Sequence, residues 1–461
     1  MLKSRLCIAF FAFAVGCAPA QKPLTDYVNP MLGTATLWDS VDLGFKPTKR
    51  TWGAEVFPGS SLPNAMVQVS PVTKFHSGAG YQYEDSVIYG FTHTNKGHWN
   101  LCHIPLLPVT GTPTPGDYCS PFSHERESAA PGYYQVFLDR YGVDAQLSST
   151  LRCAFHKYTY PAGAAPAVLA DLQRSNEHVR AWDIRKEGDN VFAGWQQTGE
   201  KMYFYAVANR PVTGIEPVVE GDREVRIVRF GEGDGALELR IGFSFVSEKN
   251  ARENLEAEML GKSFAEVRSE ATATWNDLLG RIRVEGGTER EKGLFYSSLY
   301  RSFLWPALRS DVNGEFTDVD GKVINPGFRY YTGPSYWDDY RNKLILLGML
   351  APDVAADVIS SDVDKGEKRG GFMPTFFHGD HASAFVAGTY LRGNRGFDVN
   401  RAYNLVLRNA TVQGPSRPWL DEYVAKGYIS EMDVENPVTW TVCKAAVTKT
   451  LEYSYDDYAV A

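Results

Sequence analysis

The sequence predicts a multidomain β + α protein: an N-terminal antiparallel β-sandwich, a helical linker and an incomplete α/α barrel. Three observations predict this class. Short apolar stretches with strand-like alternation fill the chain from Tyr27 to about Val246. The composition changes to helix-forming residues after Glu248, and helix-length segments separated by aromatic-rich loops follow from about Glu289. A chain of 461 residues, 44% of them hydrophobic, has room for two or three domains with their own cores.

Residues 1–20 have the pattern of an export signal. A basic start precedes an apolar run, Leu6–Val15, that is too short to span a bilayer. Two processing sites fit: before Cys17, in the lipoprotein-like box AVGC, and after Ala20, which completes a small-x-small pattern. Both predict a mature protein that is exported to the periplasm or the cell surface. The first would make it an outer-membrane lipoprotein with a lipid tether on Cys17.

The β-sandwich domain is expected over residues 23–249. The stretch VDAQLSS alternates Val143, Ala145 and Leu147, ALELRIGFSF alternates in the same way, and clusters such as GEGDG mark turns. Residues 250–287 are interpreted as a helical linker, because they combine helix formers with apolar residues at helical spacing.

Residues 288–461 are expected to form the N-terminal part of the barrel domain. About five helices are predicted, too few to close a ring, and the last one runs to Ala461 with no terminal Gly or Pro. The sequence therefore predicts a barrel that is truncated at its C-terminus. The predicted helices cover roughly residues 289–305, 336–350, 381–392, 398–409 and 440–461.

Charge and motifs exclude several function classes. The net charge is -8 and no basic stripe is present, so a nucleic-acid partner is not expected. The chain has no GxSxG, HExxH, Walker loop or GxGxxG after a strand, and its cysteines show no CxxC spacing. What remains are polar clusters in aromatic-rich loops, and flat aromatic faces suit sugar rings as well as ordinary cores.

The first cluster, YGFTHTNKGHWN, contains His93, Lys96, His98 and Trp99 between two strand-like runs. A functional interpretation uses Trp99 as a stacking platform and His98 as a hydrogen-bonding group for hydroxyls. The alternative is a surface loop whose Trp closes one end of the sandwich.

The second cluster, SYWDDYRNKLILLG, lies at a predicted helix start. Ser335 and Asp338 have capping-box spacing, and Asp339 and Lys343 form an i,i+4 pair. An ordinary capped helix explains these features, but it does not explain why Asp338, Asp339 and Arg341 crowd one helix start in an aromatic loop. Both interpretations stay open.

The third cluster, MPTFFHGDHASAF, contains His378, Asp380 and His381. A zinc site lacks a fourth ligand, so we favour Asp380 as the N-cap of the following helix. In the last predicted helix, Glu452 and Asp456 could line a cavity or face solvent, and their spacing does not decide between these positions.

Taken together, several long motifs resemble glycoside hydrolase family 92, in order from about residue 25 to the end of the chain. The motifs are YVNPMLGT, FPGSSLPNAMVQVSP, YGFTHTNKGHW, YWDDYRNKLILLGML, LDEYVAKGYI and TLEYSYDDYA. The resemblance implies a β-sandwich, a helical linker and an (α/α)6 barrel. It also implies a calcium-dependent exo-α-mannosidase that inverts the anomeric configuration and releases mannose from N-glycan or mannan-type glycans.

By the same resemblance, the site lies between the two domains. His98 and Trp99 would contact mannose from the sandwich side, and Asp338 would hold mannose hydroxyls from the barrel side. The neighbouring candidates for substrate binding are Trp337, Asp339, Arg341 and His381.

The resemblance also implies that the general acid, the general base and most Ca²⁺ ligands lie beyond Ala461. The catalytic residues are therefore unknown, no metal ligand is assigned within this chain, and the 461-residue chain is expected to be inactive by itself and to expose one apolar face of its helices. The alternative is a non-catalytic, exported glycan-binding protein. A purely structural envelope protein is a third hypothesis.

Overall fold

The computed structural model describes residues 22–36, 44–46, 53–96, 101–430 and 444–461. The predicted signal, Cys17, and the loop residues His98 and Trp99 lie outside the described residues. The first half of the described chain is built from antiparallel strands, as predicted.

Seventeen of the strands form this half. They are β1 Ser60–Ser61, β2 Gln68–Val72, β3 Val87–Ile88, β4 Gly90–Thr92, β5 Leu106–Val109, β6 Ser120–Pro121, β7 Glu127–Ala130, β8 Tyr133–Leu138, β9 Val143–Ser149, β10 Cys153–Thr159, β11 Ala167–Ala170, β12 Ala181–Gly188, β13 Val191–Gln197, β14 Lys201–Ala208, β15 Val212–Glu220, β16 Arg223–Phe230 and β17 Leu237–Ser244. Two large sheets result, with strand orders β1-β2-β4-β5-β11-β16-β15 and β12-β13-β14-β17-β10-β9-β8-β7.

The two sheets share one hydrophobic core. The alternation seen in the sequence is real, since Val143, Ala145 and Leu147 of β9 are buried between polar residues of intermediate exposure. They belong to the same apolar cluster as Val69 and Leu107 of the other sheet. Burial of apolar side chains from both sheets is the main term that holds a sandwich together.

Two helices, α1 Glu248–Glu258 and α2 Phe264–Leu279, form the linker. Helix α1 packs so closely on β17 that a Cβ on Gly242 would lie 2.1 Å from the carbonyl oxygen of Ala251. In α2, the indole of the fully buried Trp275 donates a hydrogen bond of 2.7 Å to the carbonyl of Ser61. These contacts fix the linker to the sandwich.

The second half of the chain is helical, with the small hairpin β18 Phe316–Thr317 and β19 Val323–Ile324 near its start. Its helices are α3 Glu289–Ser302, α4 Tyr336–Asp339, α5 Lys343–Leu350, α6 Pro352–Lys368, α7 Ala382–Leu391, α8 Val399–Thr411, α9 Leu420–Lys426 and α10 Ala446–Val460. Helices α6 and α9 were missed from the sequence. The predicted helix 336–350 is in fact two helices, because Asn342 leaves the helical conformation and caps α5.

No helix of the described residues is, taken alone, long and apolar enough to cross a membrane; α5 and α6 meet that criterion only as a pair bent by 119°. The helical half also exposes apolar side chains. Along one side of α10, Val447, Leu451 and Tyr458 are 64%, 66% and 83% exposed.

Candidate functional site

The segment Ser335–Lys343 does not form the expected capping box. The Ser335 side chain caps nothing, and the amides of Asp338 and Asp339 donate instead to its carbonyl oxygen at 3.0 and 2.9 Å. The predicted i,i+4 pair is present, with Lys343 Nζ 3.2 Å from Asp339 Oδ2. The ordinary capped-helix interpretation therefore explains the Asp339–Lys343 pair but not Asp338, whose side chain is exposed.

Trp337 lies half-buried beside the third cluster. Its ring packs edge-on against Phe377 and His378, at centroid distances of 5.7 and 6.1 Å. Its indole Nε1 is buried and finds no hydrogen-bond acceptor within the described part of the chain. An indole N–H that lacks an acceptor is available to a ligand oxygen, so Trp337 combines an apolar face with a donor.

The sandwich contributes Lys96, the last residue before 97–100. Its ammonium lies over the ring of Trp305 at 4.9 Å. Burial lowers the pKa of Lys96, as does the neighbouring charge of Lys343, whereas Asp339 and Asp338 act in the opposite direction. Lys96 is thus within electrostatic reach of the acidic pair at the start of the helical half.

The chain returns to the same interface after residue 100. Leu101 packs with Trp305 and Ala307 in a small apolar cluster. Both ends of the segment 97–100, which carries His98 and Trp99, are therefore anchored against the helical half. The structure brings this part of the sandwich to Asp338 and Asp339, while the positions of His98 and Trp99 themselves lie outside the described residues.

His93, from the same motif, belongs to the sandwich core. It is fully buried, with Nδ1 2.9 Å from the carbonyl of Ile104 and Nε2 3.0 Å from Nε2 of His156. Burial lowers the pKa of His93 to about 3, so it is neutral at physiological pH. This residue packs and does not contact the interface.

His381 is buried and connects α10 to the helix start. Its Nδ1 donates to Asp456 at 2.9 Å, and its Nε2 lies within ion-pair distance of Glu452, at 3.2 Å. The ring of Tyr340 stacks on it at 3.9 Å. Arg341 is largely exposed and lies 3.9 Å from Glu452. His381 Nδ1 is thus held by Asp456, while the buried Nε2 has no hydrogen-bond partner among the described residues and faces Glu452, so its role as a substrate-binding residue stays a prediction.

The interpretation of Asp380 as a helix cap is wrong. Helix α7 has His381 at its N-cap position and no side-chain cap. The Asp380 carboxylate is instead fully buried, 2.8 Å from the Asn409 amide and 3.5 Å from the Arg417 guanidinium. Burial, together with the neighbouring Asp456, raises the pKa of Asp380 to about 8, against the effect of Arg417.

A cleft of about 910 Å³ separates the sandwich hairpin β13–β14 from the helical half. Arg309 lines it, 3.5 Å from Glu200 and over the ring of Phe245 at 4.3 Å. On the opposite wall, Asp362 accepts hydrogen bonds from Tyr336 and from Lys365, the latter at 2.9 Å. Sequence reasoning missed these residues, because isolated charges in a loop and in an undetected helix carry no motif.

Calcium has no evident binding site in the described ranges, where no three His, Cys, Asp or Glu side chains converge to hold a metal. Asp339, Asp362 and Asp456 are each engaged by a cationic or imidazole group. The described residues therefore do not fit a Ca²⁺ ion.

Comparison with known proteins identifies the family. Residues 27–253 match the glycosyl hydrolase family 92 N-terminal domain, and residues 250–461 match the family 92 catalytic domain. The chain belongs to glycoside hydrolase family 92. Its sandwich and helical half are the β-sandwich and α/α-barrel parts of the family 92 fold.

Solved structures agree with this assignment. A family GH92 α-mannosidase from Bacteroides thetaiotaomicron superimposes with a TM-score of 0.84 at 26% identity, covering 95% of this chain and 62% of that one. A structure of that enzyme with mannoimidazole gives a TM-score of 0.83 at 26% identity, with coverages of 95% and 61%. A family GH92 inverting mannosidase from the same organism has the same fold, with a TM-score of 0.80 at 24% identity and coverages of 95% and 62%.

A curated relative, an uncharacterized secreted glycosidase of Arthroderma benhamiae, is 25% identical over 495 residues, covering 94% of this chain and 59% of its own length. The family 92 chain described here thus spans about three fifths of the length of the relatives it matches.

Proposed function

We propose that this chain supplies the mannose-binding part of an exported, exo-acting α-mannosidase of the inverting, calcium-dependent type. The observation that carries the proposal is that Lys96 and Leu101, on either side of segment 97–100, both contact Trp305 of the helical half. Likeness to an α-mannosidase that also binds mannoimidazole supports mannose as the sugar. A secreted relative supports export.

Each side of the interface has a role in this proposal. Trp337 offers an indole N–H that has no acceptor among the described residues, and Asp338 offers an exposed carboxylate for sugar hydroxyls. Asp339 is buried and paired with Lys343, so Asp338 is the exposed carboxylate of the two. His98 and Trp99 would close the site from the sandwich.

A non-catalytic glycan-binding protein is the second candidate. Inversion needs a protonated acid and a carboxylate base roughly 6.5–9.5 Å apart. At the described interface, the buried carboxylates Asp339, Asp362 and Asp456 are each held by a partner. Binding is therefore better supported by the described residues than chemistry is.

The test measures mannose binding and mannose release by the same protein, with Ca²⁺ and with EDTA. Asp338→Asn is expected to weaken binding of an α-mannobiose about tenfold, since a charge-assisted hydrogen bond contributes roughly 1.5–3 kcal/mol. The matched control is Asp234→Asn, an exposed carboxylate in the loop that joins β16 to β17, which should leave binding unchanged.

Calcium-dependent release of mannose would support the enzyme, and binding without release would support the glycan-binding protein. Equal binding by wild type and Asp338→Asn would refute the proposed site.

A further inference from the structure

The sandwich has a second cavity, of about 970 Å³, which the proposed mannose site does not use. It lies between the turn after β2, the segment that follows β11, and the first residues of β12 and β16. The volume falls within the range of about 300–1,000 Å³ that is usual for small-molecule sites. One lining residue, Ser175, donates a hydrogen bond of 2.6 Å to the carbonyl of Leu101.

The cavity is lined by an excess of positive charge, although the whole chain has a net charge of -8. Its cationic residues are Lys74, Arg174, Arg180 and Arg223. Glu177 is the acidic residue on the wall, and its hydrogen bond with His103 lowers its pKa to about 2.

Two of the guanidinium groups share one carboxylate. Asp171 lies fully buried beneath the cavity, 2.5 Å from Arg223 and 3.7 Å from Arg174. The Nε–H of Arg223 is buried and has no acceptor in the described chain. Lys74 and Arg180 form no ion pair with a described carboxylate. The pair of guanidinium groups is thus fixed in place and only half neutralised.

The rest of the wall is aromatic. The Arg174 guanidinium lies over the rings of Phe75 and Tyr89, at 5.5 and 5.3 Å, which restricts its orientation. Trp182 is half-buried at the rim, with Arg226 5.4 Å from its ring. Planar guanidinium groups match phosphate and carboxylate oxygens in a bidentate manner, and aromatic faces accept the apolar faces of a sugar ring.

We propose that this cavity binds a sugar that carries an anionic group, either a phosphate or a carboxylate. Arg174 and Arg223 hold the anion, Lys74 and Arg180 add attraction at the rim, and Trp182 and Tyr89 hold the ring. A neutral sugar would leave the surplus positive charge uncompensated. The site does not depend on mannose binding at the domain interface.

The test is titration calorimetry at low ionic strength with mannose 6-phosphate, glucuronic acid, mannose and inorganic phosphate. The cavity variant is Lys74→Glu/Arg180→Glu, which changes exposed side chains only. The matched control, Lys249→Glu/Arg290→Glu, makes the same change of charge on exposed positions of α1 and α3. The cavity variant should bind the charged sugar about tenfold or more weakly, and the control should bind it as wild type does.

The two charged probes distinguish the anion: tighter binding of mannose 6-phosphate assigns a phosphate, and tighter binding of glucuronic acid assigns a carboxylate. Unchanged affinity in the cavity variant, or no binding of either charged sugar to wild type, would overturn the site. The cavity would not recognise the sugar ring if inorganic phosphate binds as tightly as mannose 6-phosphate and Trp182→Ala binds mannose 6-phosphate as wild type does. If the wild-type protein binds the charged sugar but not mannose, the proposed function is refuted and the cavity proposal is not.

Discussion

The sandwich and the helical half bury their histidines in opposite ways. In the sandwich, His93 and His156 face one another at 3.0 Å, and burial lowers the pKa of both. In the helical half, His381 lies between Asp456 and Glu452, at 2.9 and 3.2 Å. The His93–His156 pair packs as neutral rings in the core, whereas His381 lies between two carboxylates of α10.

The difference shows what each region needs from its interior. The sandwich gains its stability from apolar area shared by two sheets, so a neutral histidine pair can replace apolar contacts at little cost. The helical half must hold α7, α8 and α10 together, and it does so through buried contacts among Asp380, Asp456 and Arg417. A buried network of this kind is sensitive to the loss of any member.

The largest effect is expected from Arg417→Met. This guanidinium is fully buried, 2.5 Å from Asp457 and 3.5 Å from Asp380. At pH 9, where Asp380 is ionised, its removal leaves this buried carboxylate without a cation, which costs roughly 3–5 kcal/mol in the free energy of unfolding. Denaturant titration measures this loss.

The control is Arg401→Met, which breaks an exposed pair with Glu367 and should cost no more than about 1 kcal/mol. If both variants lose the same free energy of unfolding, the buried contacts of Arg417 do not stabilise the helical half more than an exposed ion pair does.

The two regions should also respond oppositely to pH. The pKa of Asp380 is raised to about 8, so its favourable contribution is complete below the unfolded value near 3.9 and is lost as pH rises through 8. The pKa of His93 is lowered to about 3, so the unfolded chain takes up its proton first, and stability falls as pH drops below 6.5.

Asp380→Asn should remove the alkaline loss and keep the acidic one. Asp457→Asn, which alters a more exposed carboxylate on the same guanidinium, is the matched control and should keep both. Unfolding free energies between pH 5 and 9 test this pattern. An alkaline loss that persists in Asp380→Asn would assign it to another group.

The strands were predictable because apolar residues occur at every second position in stretches such as VDAQLSS and ALELRIGFSF. The family was predictable from long motifs. The helix boundaries at Asn342 and Pro352 could not be predicted, because both residues lie inside or beside a continuous apolar pattern that predicts a single helix.

The roles of single polar residues were the hardest part. His93 and His381 both occur in polar, aromatic motifs, and only tertiary contacts separate a histidine of the apolar core from one that lies between carboxylates. Asp380 has the spacing of an N-cap, but a cation from Arg417, 37 positions later in the chain, competes for it. Local spacing cannot report a partner that distant.

The smallest effect on stability, and the most informative about the site, is expected from Lys343→Gln. Its pair with Asp339 is an i,i+4 contact at 3.2 Å, and such pairs contribute about 0.2–0.5 kcal/mol. The same change frees Asp339 next to Asp338 and removes a charge that lowers the pKa of Lys96. The free energy of mannose binding should therefore change more than the free energy of unfolding does.

The matched control is Lys365→Gln. This change removes the cationic partner of Asp362, on the wall of a cleft that neither Asp338 nor Asp339 lines. If both variants alter mannose affinity equally, the acidic pair at Asp338 and Asp339 is not the sugar-binding edge of the interface.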